Sequence, residues 1–269
     1  MNTIETKVVR IGHLRKLKEA KQKFACLTSY DSLTASIFDE AGIEVILVGD
    51  SAADNSLGYE TTLAITVDEM ISFGRAVASS VKRALVVVDL PFGSYETSPK
   101  DALANAIRVM KETGASAVKL EGGERSVDAI RAITDAGIPV MAHIGFTPQS
   151  VHSLGGFKVQ GRGAQAEQLQ ADALAVQAAG AFAVVLELIP ADLAASVTSL
   201  LEIPTIGIGG GPSTDGQILV WTDFAGLSAH APKRFVRQYA QLRSTLLEAA
   251  KEFRNDVVSG SFPNDTELF

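Results

Sequence analysis

The chain has 269 residues, of which 46% are hydrophobic and 20% are charged, and its net charge is −7 at pH 7. This composition is typical of a globular protein with a sizeable core, and the acidic balance argues against a nucleic-acid-binding protein. No segment approaches the ~20 apolar residues of a membrane-spanning helix, and the only cysteine, Cys26, cannot form a disulfide within the chain. We therefore expect a cytoplasmic protein that binds neither membranes nor nucleic acid.

Short apolar runs rich in Val and Ile recur along the chain, with helix signals between them. Such runs are typical of parallel strands, because helices cover both faces of the sheet. The predicted strands are residues 24–27, 45–48, 85–88, 117–120, 140–143, 183–186, 205–208 and 218–221. Eight alternating β and α units favour a closed (β/α)8 barrel, and an open doubly wound sheet is the alternative if the eighth strand is absent.

The helix signals place several boundaries. Residues 66–69 have the pattern of a capping box, while Ser98-Pro99 is typical of a helix start and Gly114 of a helix end. An amphipathic helix is predicted over residues 232–253, extra to the barrel, where it either caps its own barrel or packs on a neighbouring subunit. No linker interrupts the chain, so residues 1–269 are predicted to form one domain, with an N-terminal extension 1–23 and a polar tail 255–269.

Polar groups able to do chemistry follow the predicted strands at the point where each one ends. They are Asp50, Asp89, Lys119, Glu121, His143 and Glu187. Because parallel strands of one barrel all end on the same side, we expect these distant residues to converge on one pocket.

The acidic members of this set predict a cation. Buried carboxylates without a counter-charge are costly, so Asp50, Asp89 and Glu121 at one end of a barrel favour a bound ion. Oxygen ligands suit a hard ion, and Mg²⁺ is preferred to Zn²⁺. The alternative is that each aspartate caps a helix or pairs with a lysine.

The remaining groups suit acid–base work at carbon. Lys119 lies two residues before Glu121 on one strand face, so it either forms an ion pair there or stabilises a developing oxyanion. His143 is an acid, a hydrogen-bond donor or a core histidine. Glu187 follows an apolar strand, where burial would raise its pKa toward the range of a general base; a rim salt bridge is the alternative.

Two glycine-rich segments stay open. Residues 207–211 follow the seventh strand, where a barrel can bind phosphate on backbone amides or merely pack tightly. The segment from Gly155 to Arg162 is either a lid over the pocket or a plain flexible loop.

At these residues the chain resembles the ketopantoate hydroxymethyltransferase family. The matching segments are residues 27–31, 47–51, 89–92, 118–123, 143–149, 155–162 and 214–217. They occur in the family's order across most of residues 25–265, so the resemblance is to the family and not only to a fold.

The resemblance implies a barrel of the phosphoenolpyruvate/isocitrate-lyase type, assembled as a homodecamer. It implies Mg²⁺ held by Asp50, Asp89 and Glu121, substrate bound by Asp50, Ser51, Asp89 and Lys119, and catalysis by Glu187, Lys119 and His143. The implied reaction is enolate formation at C3 of 3-methyl-2-oxobutanoate, followed by attack on 5,10-methylenetetrahydrofolate to give 2-dehydropantoate.

Three rival functions remain. One is a carbon–carbon lyase of the same superfamily, which commonly uses a loop cysteine, whereas Cys26 lies in the first predicted strand. Another is a phosphosugar-binding barrel that uses the turn at residues 207–211. The third is a non-catalytic oligomeric scaffold, which the ionisable groups at the strand ends argue against.

Overall fold

The structure is a computed structural model that describes residues 7–229 and 231–269. Residues 1–6 of the predicted N-terminal extension, and His230, lie outside the described residues. The chain divides into two compact units, one ending at Val220 and the other spanning Trp221–Phe269. The assignment of residues 1–269 to a single domain stays a prediction.

The first unit is a closed barrel of eight parallel strands, each paired with its neighbours in chain order and β8 with β1. The strands are β1 (Phe24–Thr28), β2 (Val45–Val48), β3 (Leu85–Asp89), β4 (Ala117–Glu121), β5 (Val140–Gly145), β6 (Ala183–Glu187), β7 (Thr205–Ile208) and β8 (Gly216–Leu219). The predicted barrel is confirmed, and the open doubly wound sheet is excluded.

Helices alternate with these strands and surround them. They are α1 (Ile11–Glu19), α2 (Ser32–Glu40), α3 (Ala52–Asn55), α4 (Val67–Ala78), α5 (Pro99–Thr113), α6 (Val127–Asp135), α7 (Gln165–Ala178) and α8 (Ala191–Leu200). Short 3-10 turns lie at Thr62–Ala64, Glu124–Ser126 and Pro148–Ser150. None of the helices in the described part of the chain is both long and apolar enough to cross a bilayer.

Three predicted helix boundaries are confirmed in detail. Thr66 and Glu69 form a capping box at the start of α4, since the Thr66 side chain accepts from the Glu69 N–H and the Glu69 carboxylate accepts from the Thr66 N–H. At α5, Ser98 caps the start and Gly114, with φ of 78°, ends the helix in the left-handed conformation. Local side-chain chemistry therefore determines these helix ends.

The eighth strand lies two residues earlier than predicted, at Gly216–Leu219 in place of residues 218–221, and Trp221 begins the next helix. Gly216 pairs with Phe24 of β1, and a Cβ at this glycine would lie 2.4 Å from the Phe24 ring. Only glycine fits beside that ring, so a residue with low strand propensity begins the strand.

The core of the barrel is apolar and is closed at its amino-terminal end by α1. Inward-facing residues of all eight strands form one buried cluster, and Leu14 of α1 belongs to it with no exposed surface. The basic residues of α1 are mostly exposed, but Lys18 is half-buried and donates to Asp215 at 2.9 Å. The predicted N-terminal extension thus supplies part of the barrel's core.

The second unit contains α9 (Trp221–Phe224), α10 (Leu242–Ser259) and a 3-10 turn at Asp265–Glu267. The predicted bounds of the C-terminal helix, residues 232–253, are wrong at both ends, since it begins at Leu242 and ends at Ser259. Residues 231–241 are not helical, because the Tyr239 ring stacks on Phe224 and the Tyr239 N–H donates to the Phe224 carbonyl.

The helix also continues into the predicted tail. Residues 255–259 of that tail form its last turn, and Gly260, with φ of 76°, ends it. No residue of α10 is buried. The first five residues of the predicted tail are therefore helical and exposed.

Candidate active site

Ionisable side chains occupy the last inward-facing positions of neighbouring strands. Residues two apart share a strand face. On β4 the core residue Ala117 is followed by Lys119 and Glu121, and on β6 Val185 is followed by Glu187. The barrel interior therefore changes from apolar to charged at its carboxyl-terminal end.

Strand register brings these groups side by side. Asp89 of β3 is the partner of Lys119, and Glu121 is the partner of His143 on β5. Glu187 is the partner of Gly145 on the adjacent strand. The predicted convergence of these residues is confirmed by the geometry, whereas their catalytic roles stay a prediction.

Asp50 joins the group from the turn after β2. Its N–H donates to Asp89 Oδ2 at 3.0 Å, and the side chain is buried. A Cβ at the preceding Gly49 would lie 2.8 Å from the Ser51 hydroxyl, which would have to move to make room. This turn places two carboxylates, those of Asp50 and Asp89, next to one another.

Lys119 and Asp89 form a buried ion pair. The ammonium donates to Asp89 Oδ1 at 2.6 Å, and the two side chains are 4% and 2% exposed. Burial alone would lower the pKa of Lys119, but Asp89, Glu121 and Asp50 outweigh it and raise that pKa above its ordinary value. The lysine is a fixed positive charge inside the barrel mouth.

His143 lies between two glutamates. Its Nδ1 is 3.3 Å from Glu121 Oε1, and its Nε2 is 3.3 Å from Glu187 Oε2. Neither contact has the angles of a hydrogen bond, so both ring nitrogens and Glu121 Oε1 are buried without a hydrogen-bond partner in the described chain. The ring is placed to carry a proton toward either carboxylate.

The charges around His143 favour its protonated form. Burial and Lys119 act to lower the pKa of His143, but Glu121 and Glu187 raise it to about 9. Burial likewise acts to raise the pKa of Glu121, yet His143 and Lys119 bring that pKa below its ordinary value. The Glu121–His143 pair is therefore ionic near neutral pH.

Asp50 is the least compensated acid of the site. Burial, followed by repulsion from Asp89 and Glu121, raises the pKa of Asp50 to about 8, although Lys119 and a hydrogen bond from Gln149 oppose the shift. A cation beside Asp50 would stabilise its ionised form and lower this pKa.

Ser51, predicted to bind substrate, lies at the edge of this group and is half-buried. Its hydroxyl is 2.7 Å from the hydroxyl of Tyr30, which also accepts from Thr28 at 3.1 Å. The serine side chain is thus oriented by a buried tyrosine that the sequence did not single out.

The turn that carries Glu187 is strained. Leu188, the next residue, has φ of 48°, a left-handed conformation that costs a non-glycine residue on the order of 1 kcal/mol or more. A Cβ at Gly145 would lie 2.3 Å from the Glu187 carbonyl oxygen, so the two strand ends meet closely. Backbone packing, and not a side-chain contact alone, sets the direction of Glu187.

The turn at residues 207–211 is closely packed. A Cβ at Gly207 would lie 2.6 Å from the Thr214 hydroxyl, and one at Gly211 would lie 2.6 Å from the Ala191 side chain. Of the two interpretations left open by the sequence, tight packing has support in these distances.

The segment from Gly155 to Arg162 is anchored near its end. The Gln160 N–H donates to the Leu188 carbonyl at 2.9 Å, while Lys158 and Arg162 are exposed. The Phe157 ring is half exposed and packs edge-on against Phe146, 4.8 Å between centroids. Its action as a lid stays a prediction.

One motif of the resemblance lies away from the candidate site. Asp215 precedes β8 at the amino-terminal end, where it accepts from Lys18 and from the Thr205 N–H at 2.8 Å. This aspartate ties α1 to two strands, so its part in the fold is structural.

The family model for ketopantoate hydroxymethyltransferase matches residues 8–265. The chain belongs to this family. The resemblance seen in the sequence is confirmed, and the protein is an enzyme of the transferase class.

Relatives of the family extend over nearly the whole chain. The 3-methyl-2-oxobutanoate hydroxymethyltransferase of Leifsonia xyli subsp. xyli is 62% identical over 98% of this chain and 95% of its own length. The enzyme of the same name from Corynebacterium efficiens is 58% identical over 100% of both chains.

Solved structures of similar fold come from more distant proteins. A phosphonopyruvate hydrolase in complex with oxalate and Mg²⁺ is 15% identical, with a TM-score of 0.62 over 97% of this chain and 92% of that one. A 2,3-dimethylmalate lyase of the PEP mutase/isocitrate lyase superfamily is 16% identical, with a TM-score of 0.60 over the same shares. The likeness to these solved structures is one of fold, and it agrees with the closed eight-stranded barrel of this chain.

The family implies a divalent metal, and the donor set of the site can be tested for it. No three His, Cys, Asp or Glu side chains in the described residues converge closely enough to hold an ion by themselves. Mg²⁺ usually takes one or two carboxylates and completes its coordination with waters and substrate oxygens. Asp50, Asp89 and Glu121 offer only oxygen ligands, and the raised pKa of Asp50 indicates that a cation beside it would be favourable. These acids therefore fit such partial coordination.

Besides Tyr30, two residues of the site were missed as functional candidates. Gln149 and Tyr95 are buried, and Gln149 contacts both Asp50 and Glu121. Gln149 ends a segment of the resemblance, but nothing in the sequence indicates that its amide turns inward. Both residues lie after strand ends, where no periodicity predicts side-chain direction.

Proposed function

We propose that the protein is a 3-methyl-2-oxobutanoate hydroxymethyltransferase of pantothenate biosynthesis. It would form the enolate at C3 of the 2-oxo acid and transfer a one-carbon unit from 5,10-methylenetetrahydrofolate to give 2-dehydropantoate. Relatives of that name support the substrate. The observation that carries the chemistry is a carboxylate, Glu187, facing the same barrel mouth as the buried Lys119–Asp89 pair.

Asp50, Asp89 and Glu121 would hold Mg²⁺ at this mouth. When bound, the ion supplies a Lewis acid that polarises the keto group of the substrate. Asp50, the least compensated acid of the site, then has a cation beside it.

The chain's own residues would bind and orient the 2-oxo acid. The Ser51 hydroxyl, oriented by Tyr30, donates to the substrate carboxylate. The Lys119 ammonium stabilises the negative charge that develops on the keto oxygen, because a preformed cation in a buried site needs little reorganisation.

Glu187 would act as the base. It remains 13% exposed, so its carboxylate can reach a substrate in the mouth while its Oε2 faces His143. Glu187 takes the C3 proton, and the C–H electron pair becomes the enolate. His143 holds the Glu187 carboxylate in position for the transfer through this contact.

Water adds to the methylene carbon of the folate as its two C–N bonds break, and its two hydrogens go to the two nitrogens, which gives formaldehyde and tetrahydrofolate. The enolate carbon then attacks the formaldehyde carbon and forms the new C–C bond, and the resulting alkoxide takes the proton held by Glu187. Proton removal from carbon is the difficult step, so it is the step to test.

The test is exchange of the C3 proton of 3-methyl-2-oxobutanoate with D₂O in the absence of folate, followed by NMR. The unaltered protein with Mg²⁺ should exchange it, and Glu187→Gln should lose the exchange by about 10²–10⁴-fold. The exposed Glu202→Gln is the matched control and should keep the rate. Exchange that persists in Glu187→Gln would remove Glu187 from this role, and the absence of exchange in unaltered protein would reject the proposed reaction.

Observations on the rival functions weaken them. Cys26 is buried in β1, and burial raises its pKa well above the ordinary value, so it is unsuited to act as the acid of a lyase loop. The glycine turn of a phosphosugar site is packed by side chains, as described above.

Assembly and location stay predictions. They are a homodecamer and the cytoplasm, and both rest on the family resemblance and the composition of the chain. Analytical ultracentrifugation of the purified protein tests the first.

A further inference from the structure

A continuous run of buried hydrogen bonds joins two of the acids in the candidate site. The Glu121 N–H donates to the Tyr95 hydroxyl at 3.2 Å, and that hydroxyl donates to Gln149 Oε1. The Gln149 amide nitrogen in turn donates to Asp50 Oδ2 at 2.9 Å and to the Leu90 carbonyl at 3.1 Å. Tyr95 and Gln149 are only 4% and 6% exposed, so water does not replace these bonds.

The direction of this run is fixed at both ends. A backbone N–H can only donate, so the Tyr95 hydroxyl accepts from Glu121 and must give its own hydrogen to Gln149. A backbone carbonyl can only accept, so the Gln149 NH₂ faces Leu90 and, with its second hydrogen, Asp50. The reversed amide would set Gln149 Oε1 against two acceptors. Asp50 therefore always meets a donor.

Gln149 also contacts the second acid through its backbone. Its N–H donates to Glu121 Oε2 at 3.0 Å, which leaves Glu121 Oε1 facing His143. One residue thus directs a carboxylate oxygen of Asp50 with its side chain and one of Glu121 with its main chain. These two acids lie on different strand ends and make no direct hydrogen bond to one another.

We infer that Tyr95 and Gln149 are positioning residues that orient the Asp50 and Glu121 carboxylates for binding of the divalent ion. This inference rests on the proposed function. Donors around metal-binding carboxylates limit their rotation and are typically worth 10–100-fold in metal affinity or activity. Tyr95 acts only through Gln149, because its hydroxyl contacts Gln149 and the Glu121 backbone.

The first variant is Tyr95→Phe, which removes one oxygen atom and leaves the ring. Gln149 Oε1 then loses its donor, and the amide can turn away from Asp50. We expect the Kd for Mn²⁺, measured by EPR on substrate-free protein, to rise about tenfold. The matched control is Tyr59→Phe. The Tyr59 hydroxyl, which lies before α4, donates to the Glu69 carboxylate at 2.6 Å, so this variant also removes a hydroxyl bonded to an acid. Its Kd should stay within twofold.

The second variant is Gln149→Met, which keeps the length of the side chain and the backbone N–H. It removes the donor to Asp50 but leaves the bond to Glu121 Oε2, so it isolates the side-chain contribution. We expect Mn²⁺ affinity to fall about 10–100-fold. The C3 exchange rate should recover as Mn²⁺ is raised to saturation, which a purely structural defect would not allow.

Thermal unfolding separates positioning from loss of fold. Weakened Mn²⁺ binding by a variant whose substrate-free Tm matches that of Tyr59→Phe supports the inference. Mn²⁺ affinity within twofold of the unaltered protein in both Tyr95→Phe and Gln149→Met overturns it, as does a loss that saturating Mn²⁺ does not restore. If the unaltered protein binds no Mn²⁺, the proposed metal site fails and this inference fails with it, which is a different result from equal binding by all variants.

Discussion

The two ends of the barrel each contain a lysine–aspartate ion pair, and the pairs differ in their surroundings. At the amino-terminal end Lys18 binds Asp215 at 2.9 Å, and the two side chains are 14% and 12% exposed. At the carboxyl-terminal end Lys119 binds Asp89 at 2.6 Å, and both are almost fully buried.

At the amino-terminal end one oxygen of the aspartate, Oδ2, accepts three hydrogen bonds. Asp215 accepts from Lys18 and from both the N–H and the hydroxyl of Thr205, so the pair joins α1 to β7 and β8. At the other end the pair lies among further acids, including Asp50 with a pKa raised to about 8. A lysine–aspartate pair can therefore join a helix to the barrel or form part of a charged site. Which of these it does depends on the other groups buried beside it.

The largest expected effects come from replacing each of the two lysines, one at a time, with methionine. Lys119→Met removes the cation beside the keto oxygen, so C3 proton exchange should fall about 10²–10³-fold. Lys18→Met should keep the exchange rate but lose on the order of 1–3 kcal/mol of unfolding free energy, because Asp215 loses its charged donor. Exchange kinetics and urea unfolding of both variants measure the two effects. Equal loss of exchange in both would contradict the division of roles.

A core change at the closed end should affect stability alone. Leu14→Ala leaves a cavity where α1 fills the barrel, and such truncations cost about 2–5 kcal/mol. The Tm should drop by roughly 2–4 °C for each kcal/mol, while exchange per folded molecule is kept. The exposed Leu33→Ala serves as control and should change little. A catalytic loss in Leu14→Ala at a temperature where it is folded would argue against independent ends.

Asp50 offers a smaller test at the open end, through pH. Its raised pKa means that the metal-free folded protein retains a proton that the unfolded chain, with an ordinary pKa of 3.8, has released. Stability is therefore lost progressively as pH rises from about 4 to about 8. Asp50→Asn lacks this loss, so in EDTA its Tm relative to unaltered protein should be several degrees more favourable at pH 9 than at pH 5.

The exposed Asp54→Asn is the control for this experiment, because it removes a carboxyl group four residues away that is not buried. Its Tm difference should be the same at both pH values. A pH-independent difference for Asp50→Asn as well would show that Asp50 is ionised without penalty in the folded protein.

Much of the fold and the site could be predicted because both depend on the strands. Apolar runs identified all eight strands. Where an ionisable residue lies at or just after the end of such a run, a parallel barrel places it at the carboxyl-terminal end. That is why Asp89, Lys119, Glu121, His143 and Glu187 could be brought together from sequence alone.

The failures have physical causes of a different kind. Gly216 begins β8 because the Phe24 ring needs the space, a tertiary constraint that strand propensity does not contain. Residues 235 and 239 continue the apolar periodicity of α10, which predicted a longer helix. The Tyr239 ring instead stacks on Phe224. Tyr95 and Gln149 come from segments after strands, where the direction of a side chain depends on the turn and not on a period.

The alternation of side chains along β4 limits how this barrel can change in length. Inserting a single residue between Ala117 and Lys119 would reverse the face of every residue beyond it and turn Lys119 and Glu121 outward among the helices. The other acids would keep their places but lose the neighbouring cation. Insertions and deletions are therefore tolerable in the turns, whereas within these strands they would have to come two residues at a time to preserve the reaction.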